Sequence, residues 1–141
     1  MKRIFSVLAL CLLTATGYSQ TNTTPLPKMH GDLAGVNKGD IKKEVFSAQI
    51  GVLAQLNQNE KMRDAWKGYR YKVTSFTVHV MRNNVELFTR STQGANFDEE
   101  THNFFQTVKA GDIVSVKYIT CNIWPINKTI PVDPIEVTIH D

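Results

Sequence analysis

The chain has 141 residues and carries 16 Lys and Arg against 13 Asp and Glu, a formal net charge of +3. Two of those cations, Lys2 and Arg3, belong to an N-terminal leader pattern; without them the balance is 14 − 13 = +1. A near-neutral remainder with no run of Lys and Arg gives no case for nucleic-acid binding, which needs a clustered basic face.

The opening "MKRIFSVLALCLLTATGYSQ" has a basic start, an apolar run from Ile4 to Leu13, and small residues before Gln20. That order predicts a secretory signal peptide over residues 1–19 and a periplasmic or secreted mature chain. The apolar run is shorter than the roughly 20 residues a transmembrane helix needs, so no membrane span is expected after cleavage. A lipoprotein reading would use Cys11, but Leu10 precedes it where a small residue is wanted. Cys11 leaves with the leader, so Cys121 stands alone and forms no internal disulfide. It reads as a half-buried strand cysteine, with a free thiol or an intermolecular bridge as the sharper alternative. About 120 residues then remain, enough for one domain with a real core.

Residues 20–39, rich in Thr, Asn, Pro and Gly, predict a flexible tether before a single domain over 40–141, with an ordered N-terminal arm lying on the domain as the alternative. Asp40 has the chemistry of a helix N-cap, and Ile41, Val45 and Ala48 keep a helical spacing, predicting a short helix from Ile41 to about Ile50. A strand through the same residues is the alternative. "GVLAQL" reads as a strand. The polar stretch Asn57–Gly68 reads as a loop with one helical turn that lays Trp66 on the domain.

"YRYKVTSFTVHV" reads as one long strand whose halves disagree. Tyr69, Tyr71 and Val73 are apolar at odd positions; Phe76, Val78 and Val80 are apolar at even ones. Strand side chains alternate faces, so both sets share a side only if the strand bulges, bends or changes layer near Thr74-Ser75. Asn83-Asn84 suits a tight turn, which makes Tyr69–Ser91 a hairpin. Asp98 is a second N-cap, with Glu99 and Glu100 in the first turn and Phe104, Phe105 and Val108 as its apolar face. "KAGD" is a turn into the strand "IVSVKYITC", in which Val114, Val116 and Tyr118 are assigned to one face and Ile119 and Cys121 to the other. "IEVTIH" is the last strand. Pro125, Pro131 and Pro134 keep the segment between these two strands out of a central ladder. The fold class is therefore mainly β: an antiparallel β-sandwich-like domain with one or two short connecting helices.

No catalytic signature is present. His30, His79, His102 and His140 lie at no metal-ligand spacing, so no metal or cofactor is expected. His79 falls on the polar side of its strand. Asp98-Glu99-Glu100 reads as helix-start electrostatics rather than a carboxylate pair. Ile123, Trp124 and Ile126, apolar residues in a Pro-containing connection, are the candidate partner-binding residues. Folded back, the same residues would close one end of the sandwich. The sequons at Asn22 and Asn127 matter only in a eukaryotic secretory pathway.

The ordered strings "IKKEVFSAQIGVLAQLNQ", "YKVTSFTVHV", "STQGANFDEE", "VKAGDIVSVKYITC" and "DPIEVTIHD" resemble the C-terminal domain of GldM, a periplasmic component of gliding motility and type IX secretion in Bacteroidetes. The resemblance spans about Ile41 to Asp141. It implies a non-enzymatic, β-rich envelope module that binds a protein partner or pairs with itself as a homodimer. Longer members of the family carry a transmembrane helix and several stacked domains, neither of which is expected here. The chain departs from the family at "CNIWPINK", where a polar turn is usual. A small-ligand-binding sandwich in the periplasm, with Trp66, Tyr69 and Tyr71 lining a concave face, is the alternative reading.

Overall fold

The computed structural model describes residues 25–57 and 60–141. The expected signal peptide and Asn22 lie outside them. Chain order runs β1 (Met29–Asp32), β2 (Lys38–Lys42), α1 (Lys43–Ser47), β3 (Leu53–Leu56), α2 (Glu60–Ala65), β4 (Arg70–Arg82), β5 (Val85–Gln93), α3 (Glu99–Phe105), β6 (Ile113–Trp124), β7 (Lys128–Val132) and β8 (Ile135–His140). The protein is mainly β and sandwich-like. A six-stranded sheet runs β2-β8-β6-β4-β5, with β7 also paired to β6; β1 and β3 form a separate two-stranded ribbon.

The long strand behaves as its sequence requires. Val73 and Phe76 are both buried, at 2% and 1% exposure, although their spacing would put them on opposite faces of a regular strand. The β4–β6 register shifts between Val73 and Ser75 and again between Ser75 and Thr77. At the first shift β4 carries an extra residue, Thr74. At the second β6 carries one, Tyr118. The two bulges cancel, so Val73 faces Cys121 and Val78 faces Val116, apolar against apolar on both sides. Thr120 fastens the irregular part: its hydroxyl lies 2.7 Å from both the Thr74 and the Ser75 hydroxyls.

One expectation for β6 is corrected by the same feature. Tyr118 does not share the buried face of Val114 and Val116. It is 77% exposed and adopts φ +53°, while Val114, Val116, Ile119 and Cys121 are all buried. The bulge flips the parity of β6, so the two apolar sets that looked opposed lie on one face.

The second layer covers that face. In α3, Asp98 caps the helix by accepting from the Thr101 N–H at 2.9 Å. Phe105 is thereby laid against Phe46 of α1, ring centroids 4.4 Å apart, and against Phe97 at 4.8 Å; Phe97 in turn meets Phe76 of the sheet at 5.5 Å. The β1–β3 ribbon crosses beside them. Gly31 permits the crossing: a Cβ there would stand 2.7 Å from both Ile119 Cδ1 and Ile135 Cγ1.

The N-terminal third departs most from expectation. The described part of the expected tether is built into the fold, with Met29 and Leu33 fully buried and β2 paired in parallel with β8. Asp40 is a strand residue rather than an N-cap, and Ile41 faces the core before α1 begins at Lys43. The hairpin turn is as expected: Asn83 and Asn84 adopt φ +50° and +62°, the pair of positive values a type I′ turn needs. Pro131 sits in β7, which among the described strands pairs with β6 alone, so its missing N–H interrupts no central ladder.

Candidate interaction surface

The predicted partner residues separate. Ile123, which pairs with Tyr71 and Lys128, is completely buried and belongs to the core. Trp124 and Ile126 project from the β6–β7 hairpin, 56% and 41% exposed. Arg70, the partner of Trp124 across the sheet, holds its guanidinium 5.3 Å from the indole centroid, a cation–π contact at an exposed site. The Asn122 amide donates to the Asn127 side-chain oxygen at 3.0 Å and closes the hairpin below the indole. Ile123 is thus the anchor and Trp124 with Ile126 the exposed tip. The sequence reading put all three in one connection because it ended the strand at Cys121, whereas β6 continues to Trp124.

The sheet face opposite the second layer carries its own pattern. Thr74, Ser75, Thr77, Thr120 and Asn122 are half-buried there, and Arg70, Lys72, Lys117, Tyr118 and Trp124 are exposed. Because the bulges insert one residue between buried neighbours on each strand, Thr74 with Ser75, and Lys117 with Tyr118, point outward as adjacent pairs. Tyr118 also stands at a fork. On that side β6 pairs with β8 as far as Val116 and with β7 from Ile119, leaving Lys117 and Tyr118 between the two partners.

His79 lies at the other end of this face, 2.8 Å from a Glu86 carboxylate oxygen and 3.1 Å from the Thr89 hydroxyl. Its Nε2 is buried without a hydrogen-bond partner. No hydroxyl or thiol among the described residues is hydrogen-bonded to that nitrogen, although Ser115 is the register partner of His79 across β4 and β6. Nor do the described residues place three or more His, Cys, Asp or Glu where they could hold a metal ion.

The acidic cluster is absorbed by structure. Arg90 binds Asp98 and Glu100 together. Asp98 has its carboxyl lowered below the ordinary range; burial pushes the other way, and the Thr101 and Arg90 hydrogen bonds prevail. Asp112, 1% exposed, is lowered first by its two hydrogen bonds from Arg82, both 2.7 Å, and further by the Lys109 N–H. This pair ties the start of β6 to the end of β4. Cys121 is a buried free cysteine, its thiol pushed up by burial.

The aromatic residues of the alternative reading border a cleft of about 370 Å³ between β3, the α2–β4 connection and β4, lined by Gln55, Arg63, Trp66, Lys67, Tyr69 and Tyr71 among others. Trp66 is 5% exposed and donates its indole N–H to the Pro25 carbonyl at 3.3 Å. Tyr71 donates to the Trp66 carbonyl at 2.9 Å. Both side chains are thus committed to packing, and Trp66 is a structural tryptophan as expected.

No described helix is long and apolar enough to cross a membrane. No curated protein matches the chain. The family model of the GldM C-terminal domain matches residues 23–140. That match takes in β1 and β2, which the resemblance read from Ile41 onward had left out, and every strand of both sheets. The chain therefore belongs to the GldM C-terminal domain family.

Proposed function

We propose that this chain is an exported, non-enzymatic docking module of the bacterial cell envelope, acting with the gliding-motility or type IX secretion machinery to which its family belongs. In this reading it is periplasmic or secreted after loss of residues 1–19. It binds an envelope protein or a second copy of itself. The observation that carries the reading is the β6–β7 hairpin: Ile123 fixes it in the core while Trp124 and Ile126 project from it. An aromatic anchor on a rigid support is the usual centre of a protein interface.

The test compares the wild-type chain with Trp124→Ser and Ile126→Ser. Capture of partners from the native envelope is measured beside analytical ultracentrifugation and circular dichroism. Association lost with the fold intact supports the tip as the docking element. Association unchanged with the fold intact removes Trp124 and Ile126 from it.

The second reading, a small-ligand domain, is favoured by one observation, the cleft beside Trp66 and Tyr71. Its volume falls at the low end of ligand pockets. A thermal-shift screen of small anionic and aromatic compounds with wild type and Tyr69→Ala decides it; no compound shifting the midpoint rejects it.

A further inference from the structure

The exposed side of the six-stranded sheet has a charge distribution that the docking reading does not use. Strands β4, β6 and β7 are neighbours and together contain Arg70, Arg82, Lys117, Lys72 and Lys128, yet no Asp or Glu. Arg82 is neutralised by Asp112 at the far end. Arg70, Lys72 and Lys117 form no ion pair among the described residues, and all three are exposed. Carboxylates return on the other strands of the sheet, at Glu86 of β5, Glu136 of β8 and Asp40 of the edge strand β2.

Two aromatics stand among these cations. Tyr118 and Trp124 are six residues apart on β6, roughly 20 Å at strand spacing. Both are exposed, at 77% and 56%. Tyr118 is held outward by a backbone at φ +53°, a conformation that a bulky side chain rarely adopts and that persists only where its surroundings enforce it. Between the two aromatics lies a floor of hydroxyl groups centred on Thr120, already bonded to Thr74 and Ser75.

We propose that this face binds an acidic, extended segment of a partner protein, with Tyr118 and Trp124 as apolar anchors and Arg70, Lys72 and Lys117 as its charge partners. The proposal rests on the docking reading above and specifies where the partner lies and what it carries. Charge complementarity selects the occupant. A second copy of this chain presents the same cations, and its acidic cluster at Asp98 and Glu100 is already occupied by Arg90. Tyr, Trp and Arg together are the residue types that dominate contacts with protein rather than with water. The span between the anchors matches about six extended residues.

The test is an amide NMR titration of the isotopically labelled chain with three probes: a twelve-residue peptide of Glu, Asp and Gly with one central Phe, its counterpart with Lys for every acid, and a hexameric polygalacturonate. The acidic peptide is expected to shift Lys72, Lys117, Tyr118 and Thr120, with a response that weakens on raising the salt. Lys72→Glu with Lys117→Glu is expected to weaken it at least tenfold while the remaining spectrum stays dispersed. No shift on this face, an equal response to the Lys peptide, or a response to the polygalacturonate alone overturns the proposal. Capture from the native envelope separates the two levels. If wild type and the double variant retain the same protein, the face is wrong and the docking reading stands. If wild type retains none, the docking reading itself fails.

Discussion

Replacing Tyr118 by Gly is expected to stabilise the fold while removing its proposed binding. Tyr118 is the extra residue of the β6 bulge and sits at φ +53°. A left-handed backbone costs a residue with a Cβ on the order of 1–2 kcal/mol, and glycine escapes that cost. The side chain is 77% exposed, so its removal forfeits little packing. Against the relief stands the greater entropy of glycine in the unfolded chain, about 0.5–1 kcal/mol. The difference lies between neutral and about 1.5 kcal/mol of gain, or a rise in midpoint temperature of up to about 6 °C. Tyr118→Ala is the control, because it removes the ring and keeps the strain. Urea unfolding followed by tryptophan fluorescence measures both variants on the same two-state scale. The Gly variant should exceed the Ala variant by about 1 kcal/mol, and both should lose the acidic-peptide response. A Gly variant less stable than the Ala variant refutes the claim that the bulge is strained.

Gly31→Ala should destabilise by about 1–3 kcal/mol, because the new methyl would enter the space of Ile119 and Ile135; a companion Ile119→Val should recover part of the loss in chemical denaturation. Asp112→Asn should cost about 1–3 kcal/mol near neutral pH by removing a buried, doubly bonded carboxylate. The folded carboxyl of Asp112 is held below its unfolded value of about 3.9. Its stabilisation is therefore complete above that value and disappears as pH falls through the lower folded value. The stability of Asp112→Asn should accordingly fall less than that of wild type on acidification. Cys121 is fully buried with its thiol pushed up by burial, so iodoacetamide at neutral pH should leave the native chain unlabelled and modify it fully in denaturant.

The parts of the fold that could be read ahead are those in which a local rule fixes a local shape. Asp98 declares a helix start because its carboxylate meets an N–H three residues on, and Asn83-Asn84 declares a turn because both tolerate positive φ. The parity break in β4 declares a bulge. What could not be read depends on partners far away in the chain. Ile41 and Asp40 fit a helix start equally well until β8, nearly a hundred residues later, recruits them as a strand. Met29 and Leu33 looked too sparse to pack, because the surface that buries them is supplied by β3, β7 and β8. Tyr118 was misassigned because the bulge in β6 compensates the bulge in β4, and only the register between the strands reveals it. The exposed tip, Trp124 and Ile126, was legible as apolar residues beside proline. The basic outer face was not, since its cations are dispersed in sequence and adjoin only once the strands are paired.

The parallel pairing of β2 with β8 has a kinetic side. β8 lies between β2 and β6, and residue 41 meets residue 139. The first edge of the sheet thus waits for residues made nearly a hundred positions later, and those same residues seat Val114 and Val116 of the central strand. Pairings of such long sequence separation form late and slowly. Cutting the chain after Pro134 should therefore leave a polypeptide that synthesis completes but folding does not, with β2 and the inner half of β6 both stranded.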